Sequence, residues 1–459
     1  MPAILPPLEP AFLPLSLLVR NYTQSLANTP NPDLATIALE RNEGRTHTLP
    51  LQLHPQGSPH DATTRHLVER LAKFLLWQVG GWKLTFAGPQ QLGQQLSQVY
   101  HRNGTRHFDA ELMEKVYDRP FEFVQCHHNE APNANESGIT LGGHLDGCRL
   151  GFDLGASDYK LAAVQDGEAV FTTEIRWDPK NQPDPEIHFK AIHEGLQLAA
   201  KHLPRVDAIG GSAAGIYVNN EVKVASLFRA VPQNLFDTKV RPLFHRLQQT
   251  WNVPLEVAND GDVTALAAAM ALRVNGILGI AMGSSQAAGY LDSQGHITGW
   301  LNELAFAPVD VQPHGPVDEW SKDQGVGALY FSQQAVGRLL QPAGIPAPEE
   351  MPLPEKLVLV QKLMEQDDPR AEKIYTSIGV YLGYALALYA QLYQYQHVLL
   401  LGRVTTGKGA DIIVNQAQAV LNQEFPEYAQ QLQIHLPDEK SKRVGQAVAA
   451  ASLPAIPQS

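Results

Sequence analysis

The feature that most constrains this chain is a short pattern that occurs twice. Leu150-Gly-Phe-Asp-Leu-Gly-Ala-Ser157 and Leu278-Gly-Ile-Ala-Met-Gly-Ser-Ser285 carry Leu, Gly, Gly and Ser at matching places, and Asp292 to Gly295 follows the second copy much as Asp166 and Gly167 follow the first. Each copy reads as a strand, a glycine-bearing turn and a returning strand. Repetition of such a unit predicts two lobes built on one plan. Gly155 opens backbone angles that a side chain forbids, and Ser157 adds a hydroxyl, so N–H groups exposed at the turn can cradle an anion such as phosphate. Asp153, near the end of an apolar strand, is awkward there unless it meets a metal, a water or a donor. An ordinary hairpin whose Asp caps its own loop accounts for the first copy equally well. The second copy favours a paired phosphate site, with Ala281 in the place of Asp153, so that only the first turn supplies the acid.

A chain of 459 residues exceeds one simple core, and two or three domains are expected. A hydrophobic fraction of 44% with 18% charged residues describes a compact soluble protein. Net charge of −12 argues against an extended nucleic-acid surface, which needs clustered Lys and Arg. With only Cys126 and Cys148, no disulfide framework is implied and a reducing cytoplasm fits. The run Met1 to Pro10 lacks a basic start and is broken by prolines, unlike a signal peptide.

Residues 1–148 read as an accessory α/β domain, with strands at Thr46–Leu53, Trp82–Phe86 and Phe121–Gln125 and helices at Asp61–Gln78, Gln90–Tyr100 and Phe108–Tyr117. Asn129–Ser137 is the linker candidate. Cys126-His127-His128 cannot aim three ligands at one metal from an extended strand, and no CxxC or HxxxH partner exists, so surface or domain-contact roles are expected rather than zinc. Further on, Val206–Val218 is a buried strand ending in small residues that admit close approach. Val253–Asp260 is a strand followed at once by a helix. Its polar tip, Asn259-Asp260-Gly261-Asp262, lies where open α/β sheets keep their chemistry. A carboxylate there can take the proton of a hydroxyl held about 2.6 to 3.2 Å away. The same residue types favour helix starts, and one of Asp260 or Asp262 is expected to act only as an N-cap. The loop His314–Asp323, with Asp318, Glu319 and Asp323, reads as solvated or at a cleft rim, and Gln341–Pro354 as a linker or flap. Pro369–His397 reads as a long buried helix whose tyrosines serve packing, not a membrane span. Val398–Leu401 is a strand running into a Gly-rich turn that admits an adenine or merely connects elements.

Asp153-Leu-Gly-Ala-Ser157, the Asn259-Asp260 tip, Gly283-Ser-Ser-Gln-Ala-Ala-Gly289 and Leu399-Leu-Leu-Gly-Arg-Val-Thr-Thr-Gly-Lys-Gly409 fall in an order and spacing that resembles the sugar kinase/actin/heat-shock ATPase superfamily. Within it, the chain is similar to the ROK family of bacterial sugar kinases and repressors over about residues 149–455. The resemblance implies an α/β fold of two ribonuclease-H-like lobes around a central cleft, a first lobe at 149–262 to which a C-terminal helix at 440–455 returns, and a second at 263–439. It implies ATP with Mg2+, and phosphoryl transfer to a hydroxyl of a hexose or amino-hexose. Carried over by position, Asp153 would hold Mg2+ through water, and Gly155, Ser157 and Lys160 would face the phosphates with Gly283, Ser284 and Ser285. Gly402, Thr405 and Gly407 would adjoin the adenosine. Asp260 would be the catalytic base, with Asn259 and Glu303 contacting the sugar. A cytoplasmic homodimer with small-molecule partners, and neither nucleic acid nor membrane, is the matching expectation; a non-catalytic sugar or nucleotide sensor of the same fold is the alternative. The chain departs from the family where Gly-His usually follows the Glu: Ala305-Phe306 stand there, and the cysteine-rich zinc motif is missing, so no structural zinc is expected. An apolar ring at Phe306 would make the sugar pocket less polar. Residues 1–148 show no helix-turn-helix with basic recognition residues, unlike a family repressor.

Overall fold

A computed structural model describes residues 2–136, 141–436 and 445–457. Its first sheet, of order β2-β1-β3-β4, is built from β1 (Asp33–Glu40), β2 (Thr46–Leu53), β3 (Lys83–Ala87) and β4 (Glu122–Cys126). β1 is antiparallel to both neighbours, and β4 is parallel to β3. The helix Asp61–Val79 is buried along most of its length and ends at Gly80, in agreement with its periodicity. The linker candidate Asn129–Ser137 is described up to residue 136 and pairs through Asn135 with Thr46; Ser137 lies outside the described residues.

The second sheet grows from the first copy of the repeated pattern. Fully buried β5 (Cys148–Leu154) is antiparallel to β6 (Asp158–Gln165), which is antiparallel to β7 (Glu168–Arg176). On the other side β5 is parallel to β8 (Ala208–Ala213), and β8 to β11 (Leu255–Asn259), giving the order β11-β8-β5-β6-β7. β9 (Ile216–Val218) and β10 (Glu221–Val224) form a separate hairpin. The second copy repeats this path. β12 (Ile277–Met282) turns back as antiparallel β13 (Gln286–Leu291), then pairs in parallel with β14 (His397–Leu401), which pairs with β15 (Gln433–His435). Hairpin on one side and parallel strands on the other is the ribonuclease-H-like plan in both lobes. The counterpart of β7 is reduced to a single bridge, Leu291 with Ile297.

Helix Gly445–Ala451 lies across β5 and β8. A Cβ on Gly151 would sit 1.8 Å from the Ala447 carbonyl oxygen, and one on Gly210 would sit 1.7 Å from that of Ala450, so the two glycines let helix and sheet touch backbone to backbone. The expected earlier part of this helix, residues 440–444, lies outside the described residues.

Residues of the N-terminal third share one apolar core with the second lobe: Phe12, Leu75 and Trp77 are continuous with Leu278, Ile280 and Tyr389. The extended start of the chain runs along helix Pro369–Leu392, where Phe12 inserts between Tyr330, Tyr381 and Tyr384 with centroids 5.6, 4.8 and 6.1 Å away. Tyr375, Tyr381, Tyr384, Tyr389, Tyr393 and Tyr395 are all buried, in keeping with a packing role. Among the described residues no helix is long and apolar enough to cross a membrane.

The loop His314–Asp323 differs from its sequence reading. Glu319 is exposed, but Asp318 and Asp323 are 2% and 6% exposed. Asp318 accepts from the N–H groups of Trp320 and Ser321 and from the Ser321 hydroxyl. Asp323 receives Arg70, Lys73 and Arg106 at 2.9, 3.0 and 2.7 Å, and Lys73 also reaches Asp109 at 3.1 Å. Buried carboxylates persist where cations and donors replace the lost water.

Candidate functional site

The tip of β11 carries the densest group of perturbed carboxyls. Asn259 ends the strand and caps helix Asp260–Leu272: its Oδ1 accepts the Gly261 N–H at 2.7 Å, and its Nδ2 donates to the Gly215 carbonyl at 2.7 Å. The capping role expected of Asp260 or Asp262 therefore falls to Asn259, one residue earlier. Asp262 instead ties the helix to its surroundings, accepting from the Tyr290 N–H and from Asn302 Nδ2, both at 3.0 Å. Burial pushes its pKa up to about 7, against the pull of those two donors. Asp260 is half-buried, and backbone N–H groups of Gly261 and of Asp260 itself, rather than other side chains, face its carboxylate. Burial first, and the Asp153 charge second, push it up to about 6. Two glycines hold this tip against the second lobe. A Cβ on Gly261 would lie 2.4 Å from the Ala288 carbonyl oxygen, and one on Gly289 would lie 2.1 Å from the Gly261 backbone.

Asp153, 5% exposed, accepts from the Ser212 hydroxyl at 2.7 Å and has Lys160 Nζ at 3.5 Å. Burial raises its pKa while Ser212 and Lys160 oppose the shift. The turn that follows departs from expectation in two respects. Gly155 is not in the left-handed region; what requires glycine is space, since a Cβ would meet the Asp158 carbonyl oxygen at 2.7 Å. Its N–H is closed inside the turn on that same carbonyl at 3.0 Å, and its own carbonyl accepts from Trp177 Nε1 at 2.9 Å. Exposure belongs to Ala156 and Ser157, whose hydroxyl donates to the Asp158 carboxylate at 2.9 Å. Lys160 also reaches Asp158, at 3.2 Å.

The second turn is built alike. The Gly283 N–H closes on the Ser285 carbonyl at 3.0 Å, leaving Ser284 and Ser285 exposed. Gly402, with φ 94°, abuts this turn, because a Cβ there would come within 2.4 Å of the Met282 carbonyl oxygen. Thr405 is buried and donates to the Gly402 carbonyl at 3.1 Å, while Gly407 is exposed at the head of helix Lys408–Glu424. Gly402 thus joins the second turn, and Gly407 stands at the surface beyond it.

Glu303 sits on a loop held by the N-terminal third of the chain. The N–H groups of Leu301, Asn302 and Glu303 donate to the carbonyls of Val79, Gln78 and Trp77 at 3.3, 2.9 and 2.9 Å. These are the last carbonyls of helix Asp61–Val79, which have no partner inside the helix. Asn302 bridges onward, accepting from Tyr393 Oη at 3.0 Å. Burial, then the charges of Asp260 and Asp262, push Glu303 up to about 7, so the three carboxyls sense one another. The Phe306 ring, expected to line the pocket, packs on Trp77 and Phe108 with centroids 4.5 and 5.3 Å away and serves to dock the N-terminal module. Ser212, Asn302 and the Gly261/Gly289 contact carried no sequence signal of their own.

Beside the tip opens a cavity of about 430 Å³ bordered by Tyr217, Asn259, Asp262 and Trp300. Burial and the Asp260 charge both raise the pKa of Tyr217, while Asp260 and Glu303 themselves do not line this cavity. Cys126 and Cys148 are free thiols, and His127 donates its N–H to Glu130 in a local turn. Among the described residues no three His, Cys, Asp or Glu side chains are grouped to hold a metal. Asp153 is a single carboxylate at a strand end, shared with Ser212 and Lys160, a donor set that suits only a cation keeping most of its waters, as Mg2+ does.

No protein-family model matches the chain, and no curated protein matches it in sequence. Solved structures do match. A ROK hexokinase from Thermus thermophilus aligns with TM-score 0.52 at 16% identity, over 66% of this chain and 97% of the hexokinase. A ROK-family transcriptional regulator, a homologue of the E. coli MLC protein, aligns with TM-score 0.53 at 22% identity, over 67% of this chain and 78% of the regulator. The architecture is thus that of the actin and heat-shock ATPase type, two ribonuclease-H-like lobes with an added N-terminal module. Within that class the chain has the ROK-family sugar kinase-like fold.

Proposed function

We propose that this chain is an ATP-dependent kinase that phosphorylates a hydroxyl of a sugar of the hexose or amino-hexose class, with Asp260 as general base. The observation that supports this reading is the Asp260 carboxyl itself: half-buried, free of side-chain partners, with a pKa of about 6, and backed against β13 in sight of Asp153. A base with that pKa is ionised at neutral pH yet retains affinity for the proton that an attacking hydroxyl sheds. Phosphoryl transfer through a loose transition state asks for little more than positioning and charge stabilisation. Asn259 and Glu303 would orient the sugar, and Asp262 with Asn302 would hold the Glu303 loop in register. ATP with Mg2+ would supply the phosphoryl group. Asp153 would hold the hydrated cation, Lys160 and the turns at Gly155–Ser157 and Gly283–Ser285 would face the phosphates, and Gly402, Thr405 and Gly407 would border the adenosine. We take the setting to be the cytoplasm and carbohydrate metabolism, with the chain acting as a homodimer on small molecules.

A second reading, a non-catalytic sugar or nucleotide sensor, is favoured by the closed turns, in which Gly155 and Gly283 spend their N–H groups internally. Coupled ADP release across hexoses, N-acetylhexosamines and polyols separates the two. Turnover above an Asp260→Asn control supports the kinase; calorimetric sugar binding with no turnover on any acceptor sinks it in favour of the sensor.

A further inference from the structure

The β1–β2 connection of the N-terminal module reaches the cavity bordered by Asn259 and Asp262. Arg41, Asn42 and Arg45 share its wall with Asn259, Asp262 and Trp300. The connection is tightly made: the Arg41 N–H closes on the Arg45 carbonyl at 2.8 Å, and Glu43, a non-glycine residue, takes φ 62°. A side chain in the left-handed region is uncommon and persists where its surroundings fix it. Arg41 is 3% exposed; one guanidinium nitrogen donates to the Gly299 carbonyl at 3.1 Å and another pairs with Glu136. Its Nε–H is buried with no partner, and so is the Oδ1 acceptor of the adjacent Asn42. Orphaned buried donors and acceptors are costly, and in native structures most find a partner or an ordered water.

Arg41 brings donors and Asn42 an amide to this wall, and hydroxyl groups, donor and acceptor at once, suit both where an anion suits only the arginine. Arg45 is already neutralised by Glu43 at 2.6 Å, which again disfavours a charged ligand. Trp300 adds an apolar wall whose ring is held against Tyr290 and His47, with centroids 5.5 and 5.2 Å away. Aromatic walls beside hydroxyl-directed polar groups suit a sugar ring.

We propose that the N-terminal module completes the acceptor site, and that the acceptor is a saccharide of more than one ring: the reacting ring at Asn259 and Asp260, the second between Trp300 and the Arg41–Arg45 turn. The reacting-ring half of this statement rests on the kinase reading above; the second subsite stands on its own geometry.

Calorimetry on the full chain tests it, with glucose, mannose and N-acetylglucosamine against maltose, cellobiose, mannobiose and chitobiose, with and without ATP. At least one disaccharide binds tenfold or more tightly than its component monosaccharide, and Asn42→Ala and Arg45→Ala bring that ratio down to about one. Arg41→Ala is the sharper probe, but its pairing with Glu136 makes it prone to unfolding, so the two milder variants decide. Equal binding of mono- and disaccharides, binding of none, or a ratio that survives both substitutions overturns the proposal. A monosaccharide that binds and turns over with no disaccharide preference removes the second subsite and leaves the kinase reading standing. Disaccharide binding without ADP release does the reverse.

Discussion

On the kinase reading Asp260 must be ionised at working pH and still bind a proton when the hydroxyl gives one up, and burial, with the Asp153 charge, gives it a pKa of about 6 that meets both demands. Asp260→Asn keeps the shape and removes the basic carboxylate; we expect kcat to fall by about 10²- to 10⁴-fold while nucleotide binding persists, measured by coupled ADP release and by calorimetry. In the wild type, kcat/KM should be level above neutrality and fall about tenfold per pH unit below a pKa of about 6. Asp262 has the opposite use for its proton. Its pKa rises from 3.8 to about 7 on folding, so between those values the folded chain holds a proton that the unfolded chain has lost. That contribution is full below the unfolded pKa and lost as pH rises through about 7, on the order of 4 kcal/mol for a shift of this size. Asp262→Asn retains both hydrogen bonds, and urea denaturation from pH 5 to pH 8 should show a flatter stability profile than the wild type. An unchanged slope would exclude Asp262 as its source.

At the scale of elements, periodic helices and turn-bounded strands were legible, the fully buried β5 among them, while β1 and the first helix were not. Helix Asp61–Val79 and the hairpins at β5–β6 and β12–β13 lie where their patterns put them. β1 escaped notice because Asp33–Glu40 is a central strand without alternation, buried through Ala35–Leu39, and helix Leu15–Leu26 because a proline-rich start masks it. The stretch expected as a linker up to Pro354 already contains the start of helix Leu353–Glu365. Gly261 shows what pattern reading passes over: its need is contact with β13 at backbone distance. Gly261→Ala should push the Asp260 tip off that strand, costing about 1–3 kcal/mol as overpacking does and lowering kcat/KM. Thermal melts and kinetics read both effects, and wild-type values in the variant would refute the contact's importance.

Across the whole molecule, the N-terminal third is tied to the second lobe by a buried set of charges. Asp323 is held below the ordinary carboxylate range: burial works to raise it, but Arg70 and Lys73 outweigh burial. Asp323→Ala would leave Arg70, Lys73 and Arg106 facing a gap, and the loss of a buried partner typically costs about 3–5 kcal/mol. We expect a large drop in the urea midpoint together with faster proteolysis between the module and the lobe; a midpoint within error of wild type would show the network to be dispensable. The same module grips Leu301–Glu303 through the last carbonyls of helix Asp61–Val79. The amino-acid sequence by itself determined the duplicated hairpins, the acid at 153, the strand tip at 259–262 and thereby the fold class, because each is written in contiguous residues whose periodicity and turn chemistry are local. Only the tertiary structure decided that Asn259 is the cap, that the two turn glycines close their own N–H groups, that Phe306 faces the module, and that Arg41 and Asn42 stand beside Asp262. Those facts depend on which backbones and side chains meet across hundreds of residues, and burial, which sets the proton affinities of Asp260, Asp262 and Glu303, exists only once they have met.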